Sequence, residues 1–324
     1  MNHAELIVSL TSFPARIKTV HHVIESILTQ NKQPDRIVLV LAETEFPQKE
    51  ENLPKEIIEL TKNKLEILWV EENTRSYKKL TPTLNRYPDA VIVTIDDDLI
   101  YKQECIKSLW DAYIQAPDRI HTHWVDTVCF DKNGNVADFV DWNRSGNYKS
   151  SGYVPEPSVL NSILGGTGTL YPPKSLYKDV GDQSIFLKLS PTADDIWFWA
   201  MAVLNNTQVN LVKNPHGIPK RAANTQQVAL SRVNIDEDQN NVQFRQVLSH
   251  YPELEAKLKE VSSENVFKPR FLFDAFYSRR QKKYTVFGRE ITLDRRAKLI
   301  GTKKYPNNEK RFYLFWVRVW TSKR

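Results

Sequence analysis

Three carboxylates stand side by side directly after a run of apolar residues. In the stretch VIVTIDDDLIY, residues 91–101, the apolar residues predict a strand, and Asp96, Asp97 and Asp98 follow at its end. Adjacent carboxylates repel one another, so solvent or a cation must compensate their charge. A divalent cation that also binds a diphosphate would do so through hard oxygen ligands. A solvated turn with an aspartate helix cap is the alternative interpretation of the same residues.

Two other short stretches carry residues suited to chemistry. Gly165–Gly168 holds three of only 10 glycines in the chain, which indicates a loop whose backbone approaches a ligand closely. A hairpin turn is the alternative.

Asp194 and Asp195 lie at the predicted start of a helix, where Thr192 with Asp195 three residues later also forms a capping box. A carboxylate fixed by a cap is positioned to take up a proton.

The elements that must position these residues alternate between strand and helix. Apolar runs predict strands over 6–10, 37–41, 65–70 and 90–95, with helices over 17–28, 54–62 and 102–115 between and after them. This pattern predicts an α/β fold with a mostly parallel sheet covered by helices on both faces. The acidic triplet then falls at the carboxyl end of a parallel strand, which is where open α/β sheets bind ligands.

The pattern changes beyond residue 118. Residues 121–130 and 136–142 flank Asn133-Gly134, a strong hairpin signal, so a mixed sheet with an antiparallel pair is expected. A helix is expected over 192–205 and a late strand over 209–212. We expect one domain over residues 1–225 and a helical, basic and aromatic C-terminal extension over residues 226–324.

Charge divides the chain into two parts. The net charge is +6, but residues 268–324 contain 17 Lys and Arg against four acids, so the preceding residues carry −7. A uniformly basic nucleic-acid-binding protein does not have this distribution, although the basic tail leaves nucleic-acid binding as an alternative function. Cys105 and Cys129 form no metal-ligand pattern, and no signal peptide or spanning segment is indicated. The expected compartment is the reduced cytosol.

The apolar strand that ends in Asp96-x-Asp98 resembles the metal and nucleotide-sugar motif of GT-A fold glycosyltransferases. The first hundred residues resemble glycosyltransferase family 2 and its bacterial surface-polysaccharide relatives, and the resemblance covers roughly residues 5 to 220. It implies a GT-A fold and an inverting, metal-dependent transferase with Mn²⁺ or Mg²⁺ as cofactor. The implied donor is a nucleotide-sugar, with a UDP-sugar expected, and the implied acceptor is a hydroxyl of a glycan or lipid-linked glycan.

The same resemblance implies roles for individual residues. Asp195 becomes the general base, Asp194 its supporting acid or an acceptor contact, and Asp98 and His216 become metal ligands. The other implied nucleotide-sugar contacts are Thr11, Ser12, Phe13, Arg16, Glu43 or Glu45, Lys79, Asp96, Asp97, Gly166, Thr167 and Gly168. Trp142 and Trp197 are expected to stack on the acceptor sugar, although large aromatics in a helix are more often core residues. A sugar nucleotidyltransferase is the nearest alternative, but it needs a Gly-rich loop after the first strand, and residues 12–17 contain no glycine.

Apolar residues near the C-terminus, most of them aromatic, recur at helical spacing among basic residues. They are Phe312, Phe315, Trp316, Val319 and Trp320. This pattern predicts a helix that lies in a membrane interface, with the protein cytoplasmic and peripheral on the inner face of the cell membrane. Packing of these aromatics on the catalytic domain or at a homodimer interface is the alternative.

Overall fold

The computed structural model describes residues 4–131, 133–144, 156–213, 219–222, 239–264, 273–277, 281–286, 289–294, 300–304, 309–314 and 317–323. Up to residue 222 its strands are β1 Leu6–Thr11, β2 Arg36–Ala42, β3 Leu65–Val70, β4 Val91–Thr94, β5 Leu99–Ile100, β6 Ile120–Thr122, β7 Val125–Thr127, β8 Asn161–Ile163, β9 Thr169–Tyr171, β10 Val209–Leu211 and β11 Lys220–Arg221. Its helices are α1 Val20–Leu28, α2 Lys55–Leu60, α3 Thr81–Arg86, α4 Cys105–Gln115, α5 Gln183–Leu189, α6 Asp194–Leu204, α7 Gln239–His250 and α8 Pro252–Glu264.

Seven of these strands form one sheet in the order β10-β6-β9-β4-β1-β2-β3. Neighbouring strands pair in parallel except at β9, which runs antiparallel between β4 and β6. β1 is central, with Ile7 opposite Arg36 of β2 and Leu6 opposite Val91 of β4. Its five fully buried residues are what a strand covered on both faces requires. The mostly parallel, mixed α/β sheet confirms the predicted fold class.

Alternate residues of β1 enter two separate hydrophobic cores. Leu6, Val8 and Leu10 pack in one core with side chains of α1, α2 and α4. Ile7 packs in the other with side chains of α5, α6, α7 and α8. This alternation follows from the two-residue period of a strand, and it places helices on both faces of the sheet. Because helices cover both faces, a ligand can reach the sheet at the ends of its strands.

Helix α6 is enclosed by its neighbours. Residues 196–204 are all buried, as is typical of a helix that is apolar around its whole circumference. It packs against β8, α7 and α8, and Phe244 of α7 and Leu254 of α8 belong to the same core. The surrounding core holds the N-terminus of α6, with Asp194 and Asp195, in a fixed position.

The predicted hairpin around Gly134 is confirmed in part, as a turn flanked by isolated antiparallel bridges. Phe130 bridges Val136 and Thr127 of β7 bridges Asn143, both antiparallel across the turn, while β7 forms its strand ladder with β8. Asp131 Oδ1 accepts hydrogen bonds from the backbone N–H groups of Asn133 and Asn135. The predicted antiparallel pair is therefore present as isolated bridges and not as a continuous ladder, and the aspartate side chain satisfies the turn backbone.

The C-terminal extension begins with helices and continues as strands. The helical part is α7 and α8, whereas the later strands are β12 Phe273–Tyr277, β13 Gln281–Val286, β14 Arg289–Asp294, β15 Ile300–Lys304, β16 Glu309–Leu314 and β17 Val317–Lys323. These six form two three-stranded antiparallel sheets. The predicted interfacial helix was therefore wrong: Phe312 of β16 lies opposite Trp320 of β17, and Phe315 and Trp316 lie outside the described residues. Aromatic and β-branched residues favour strands, and two paired strands that follow closely in sequence produced the apparent helical spacing.

In the part of the chain that the structure describes, no helix combines the length and apolarity needed to cross a membrane. The predicted domain boundary at residues 225 and 226 falls in the segment 223–238, outside the described residues, and stays a prediction.

Candidate active site

Lys79 connects two of the predicted acidic groups. Its Nζ lies 3.1 Å from Asp96 Oδ1, just after β4, and 2.9 Å from Asp194 Oδ2, at the start of α6. The lysine side chain is only 7% exposed. Burial by itself would lower its pKa, but the carboxylates of Asp194 and Asp96 raise the pKa of Lys79 well above its usual range. The ammonium group is therefore charged and buried between two carboxylates.

The glycine-rich loop packs directly on the same carboxylates. Gly165 donates its backbone N–H to Asp195 Oδ1 at 3.1 Å, and a Cβ on Gly165 would lie only 2.7 Å from that oxygen. A Cβ on Gly166 would lie 3.0 Å from Asp96 Oδ2. Tyr101 donates its hydroxyl to the Gly166 carbonyl at 3.0 Å and accepts the backbone N–H of Asp96 at 2.9 Å. The loop and the end of β4 are thus joined by hydrogen bonds.

Asp195 has the electrostatics of a proton acceptor that works near neutral pH. Burial, followed by the negative charge of Asp194, raises the pKa of Asp195 to about 7. Lys79 and the Gly165 N–H act in the opposite direction. The N-terminus of α6 also favours the carboxylate, but by only about 0.3–1 kcal/mol, less than the roughly 1.4 kcal/mol of a single pKa unit. Burial therefore outweighs the helix dipole.

The predicted capping box is wrong, because other contacts hold its residues. Ala193 is the N-cap of α6 and makes no side-chain cap bond. Thr192 instead exchanges two hydrogen bonds with Gln243 of α7, each 2.8 Å long. Ser76 Oγ donates to Asp194 Oδ1 at 2.8 Å. The acid pair is therefore held by groups distant in sequence, with Gly165 holding Asp195, and a cavity of 60 Å³ borders both aspartates.

A second cluster lies where β1 and β4 end side by side. Ser12 Oγ donates to Asp97 Oδ2 at 2.7 Å, and Arg16 contacts Asp97 Oδ1 at 2.6 Å and Asp98 Oδ2 at 3.5 Å. The guanidinium of Arg16 also lies 5.5 Å from the ring centre of Phe13. Burial raises the pKa of Asp97 even though Arg16 opposes this. Asp97 is thus an interior anchor that ties the acidic triplet to the residues after β1.

The remaining residues predicted near the nucleotide base have partners within the protein. Glu43 pairs with Lys49 at 2.9 Å, and Glu45 lies 2.5 Å from the Nζ of the buried Lys78. Thr11 donates its hydroxyl to a backbone carbonyl of β2. The structure therefore places both acids at the end of β2, and Glu45 is the one joined to the segment that also carries Lys79.

Trp142 and Trp197 do not face the site, and their predicted contact with the acceptor was wrong. Both side chains are 0% exposed. The ring of Trp142 packs 5.2 Å from that of Trp199 and 4.9 Å from that of Phe244. Trp197 Nε1 donates to the backbone carbonyl of Val180 at 3.0 Å. Trp197 is a core residue because α6 is enclosed on every side, and Trp142 packs into the same core against α6.

Three residues that contribute to the site carried no signal in the sequence. Ser76, Lys78 and Tyr101 are ordinary residue types in polar segments, and only their tertiary partners distinguish them. Of the predicted loop residues, Thr167 is buried and Gly168 adopts a φ of 101°, a conformation that favours glycine.

The donor atoms present fit a cation that shares its shell with ligand phosphates. Among the described residues, no group of three or more His, Cys, Asp and Glu side chains is placed to hold a metal ion. Asp98 offers a hard carboxylate that is 16% exposed, and His216 lies outside the described residues. Cations such as Mg²⁺ commonly use one or two protein carboxylates together with substrate phosphates. Asp98 can serve in such a site if Arg16 yields its contact.

Neither a protein-family model nor a curated protein matches the sequence. Among solved structures, the chain is similar to S. aureus TarS 1-349, with a TM-score of 0.45 and 15% identity over 76% of this chain and 72% of that chain. It is also similar to TarS 1-349 in complex with UDP, with a TM-score of 0.43 and 15% identity over 66% and 59% of the two chains. A third similar structure is CMP:2-keto-3-deoxy-manno-octonic acid synthetase complexed with CTP, with a TM-score of 0.42 and 10% identity over 73% of this chain and 100% of that chain. Such remote likenesses carry no functional argument, so the function rests on the site.

Proposed function

We propose that the protein is a glycosyltransferase that uses a nucleotide-sugar donor. The observation that carries the proposal is Asp195, a carboxyl whose pKa is raised to about 7 and which Gly165 holds at the same edge of the sheet as Asp96. Open α/β sheets bind ligands beyond the carboxyl ends of their strands. A base that is active near neutral pH beside an acidic strand end supports the removal of a proton from an acceptor hydroxyl.

In the proposed reaction, Asp195 accepts the proton of the acceptor hydroxyl as the hydroxyl oxygen bonds to the anomeric carbon of the donor. The bond between that carbon and the phosphate oxygen breaks, and the nucleoside diphosphate leaves with the electron pair. Attack opposite the leaving group inverts the anomeric centre. Such a base contributes roughly 10² to 10⁴ in rate. Asp194, tied to Lys79 and Ser76, holds the start of α6 so that Asp195 stays in reach.

The leaving diphosphate carries the largest charge in this reaction, and Mn²⁺ or Mg²⁺, when bound, supplies its neutralisation. Asp98 is the residue proposed to hold the cation, with His216 as a further ligand. Asp97 has a different role, because it is buried and bonded to Ser12 and Arg16. We assign it to positioning the acidic triplet rather than to contact with the donor.

The finer proposals concern the donor, the acceptor and the place of action. A UDP-sugar is the proposed donor, and a glycan or lipid-linked glycan of surface polysaccharide synthesis is the proposed acceptor. The excess of 17 Lys and Arg over four acids in residues 268–324 supports peripheral attachment to the anionic inner face of the cell membrane. This support is electrostatic and does not depend on the interfacial helix that the strands β16 and β17 replace.

A thermal-shift panel tests the proposed function. The full chain is heated with UDP-, GDP-, CMP- and TDP-sugars, each with Mn²⁺ and each with EDTA. A bound donor raises the unfolding temperature by mass action, so one nucleotide family should stabilise the protein, and more strongly with Mn²⁺. The sugar of the stabilising donor is then followed into products with glycan acceptors. No stabilisation by any nucleotide sugar in either condition would contradict the proposal.

A further inference from the structure

We infer that Lys79 is a positioning residue that fixes Asp194 by contact and sets the pH range in which Asp195 takes up the proton. It holds Asp194 in an ion pair and lies close enough to Asp195 to stabilise that carboxylate as well. This inference rests on the proposed function, because it divides the work within that same site.

The first observation is that one oxygen of Asp194 forms an ion pair and the other accepts a hydrogen bond. Oδ2 lies 2.9 Å from Lys79 Nζ, and Oδ1 accepts from Ser76 Oγ at 2.8 Å. A proton on this carboxylate would weaken its pairing with an ammonium group that is 7% exposed. Removing the partner of a buried charge is strongly unfavourable, so the ion pair of Lys79 and Asp194 fixes the start of α6.

The second observation is that Asp195 is held differently, although it is the next residue. Its Oδ1 accepts a backbone N–H from Gly165, which is a neutral donor. A Cβ on Gly165 would lie 2.7 Å from this oxygen and 3.4 Å from Lys79 Nζ, so the ammonium group flanks Asp195 while its ion pairs are with Asp194 and Asp96. The positive charge of Lys79 therefore stabilises the Asp195 carboxylate from a short distance, whereas it forms a direct ion pair with Asp194.

The third observation is that Lys79 also reaches the donor side of the site. Its Nζ lies 3.1 Å from Asp96 Oδ1, and the backbone of Asp96 is bonded to Tyr101, which in turn is bonded to Gly166. One buried cation therefore joins the end of β4 to the start of α6. This bridging role differs from the direct contact with the donor that the sequence predicts for Lys79.

The charged and titratable groups that face Asp195 come from several elements. They are Asp194, Lys79, Asp96, Tyr77 and Tyr171. Burial, Asp194 and Asp96 favour the protonated acid, whereas Lys79 and the Gly165 N–H favour the carboxylate. Among these groups Lys79 is the cation, so its removal should shift the titration of Asp195 upward. An opposite charge at this range typically shifts a carboxyl pKa by about 1 to 3 units.

Carbon-13 NMR of the full chain labelled at aspartate carboxyls tests the inference without any substrate. Asp195→Asn assigns the Asp195 resonance in the wild-type titration. In Lys79→Met we expect the midpoint of Asp195 to rise by about one unit or more, and in Lys79→Arg we expect it to return toward the wild-type value. Lys78→Met is the matched control, since Lys78 is a buried lysine that pairs with Glu45. An unchanged midpoint in Lys79→Met, or an equal rise in Lys78→Met, would overturn the inference.

A second background covers the case in which Lys79→Met does not fold. Lys79→Met leaves the buried carboxylates of Asp194 and Asp96 without their cation, and Asp194→Asn removes one of them. The double variant Asp194→Asn, Lys79→Met is therefore compared with the single variant Asp194→Asn. The midpoint of Asp195 should again be higher without the lysine, and equal midpoints would contradict the inference. The nucleotide-sugar thermal shift of the wild-type chain separates the two ideas. If no nucleotide sugar stabilises the wild-type chain but the NMR midpoint of Asp195 rises in Lys79→Met, only the proposed function is contradicted. If a nucleotide sugar stabilises the chain but the midpoint is unchanged, only the role of Lys79 is contradicted.

Discussion

The backbone N–H of Gly165 donates to Asp195 Oδ1 at 3.1 Å, and this contact has no room for a side chain on the glycine. A Cβ there would lie 2.7 Å from the carboxylate oxygen, closer than such atoms approach in proteins. Either the loop or the acid would have to move. The position of the candidate base thus depends on a residue that has no side chain of its own.

Gly165→Ala should therefore displace Asp195 and lower turnover. We also expect it to lower the free energy of unfolding by about 1–3 kcal/mol, as overpacking of a closed site does. Urea unfolding and steady-state transfer measure the two effects. Gly181→Ala is the control, because its Cβ would meet Asn85 only at 3.9 Å. If both variants behave like the wild type, the loop does not set the position of the acid.

Asp195→Asn should leave nucleotide-sugar affinity nearly intact and lower turnover by roughly 10² to 10⁴, since the amide cannot accept the proton. Titration calorimetry and initial rates separate binding from turnover. Asp194→Asn should cost turnover by a different route, because it leaves Lys79 with one carboxylate fewer. Loss of donor binding or of folding in Asp195→Asn, with no specific loss of rate, would show that Asp195 is structural.

Activity and stability should respond to pH in opposite directions. Folding raises the pKa of Asp195 to about 7, compared with about 3.9 in an unfolded chain. Between these values the folded state binds the proton more tightly, so this group's contribution to the free energy of unfolding falls as pH rises from about 4 to about 7. Turnover should rise over the upper part of the same range as the base loses its proton. Chemical unfolding and initial rates across this range measure how the free energy of unfolding and the turnover depend on pH. In Asp195→Asn both dependences should be weaker, because the titrating group is missing.

Asp98→Asn should weaken nucleotide binding only when a divalent cation is present, because the amide keeps the shape of the side chain but lacks its charge. Calorimetry with the donor in Mn²⁺ and in EDTA measures the difference. Asp97→Asn makes a useful comparison, since Asp97 is bonded to Ser12 and Arg16 and its loss should lower stability in either condition. Equal transfer rates for Asp98→Asn and the wild type in Mn²⁺ would rule out the assigned role of Asp98.

The basic extension should bind anionic vesicles through charge. The full chain is expected to sediment with phosphatidylglycerol-containing liposomes at low salt and to be released at about 0.5 M salt, where exposed charges are screened. A chain truncated before Lys268 should stay in the supernatant. Sedimentation of both forms to the same extent, or of neither, would leave the extension without a role at membranes.

The sequence predicts the sheet well because strands covered on both faces are nearly continuous apolar runs. The strand predicted over 65–70 is β3 Leu65–Val70, and the acidic triplet follows β4 as expected. The acid pair also falls at the start of α6. These features depend on neighbours along the chain, which is what periodicity and caps report.

Features that depend on distant partners were not accessible from one sequence. Nothing local to Lys79 indicates that it meets Asp194, which follows it by more than a hundred residues. The burial of Trp197 had a local signal, since α6 reads DDIWFWAMAVL and has no polar face after its two aspartates. The predicted helix in the extension was wrong for another reason: strong strand formers in two strands close together in sequence mimic helical spacing over a few residues.

The enclosed indoles of Trp142, Trp197 and Trp199 have a spectroscopic consequence. With exposures of 0% they are shielded from water and from dissolved quenchers, so their emission should lie at short wavelength and should resist quenching by iodide. Trp69 and Trp110 are only partly buried, and Trp69 lines a separate cleft of 410 Å³. A red shift of the emission from the shielded tryptophans during denaturation therefore reports the opening of the core around α6. A change in the fraction of emission that iodide quenches when a nucleotide sugar is added would instead come from tryptophans at the surface.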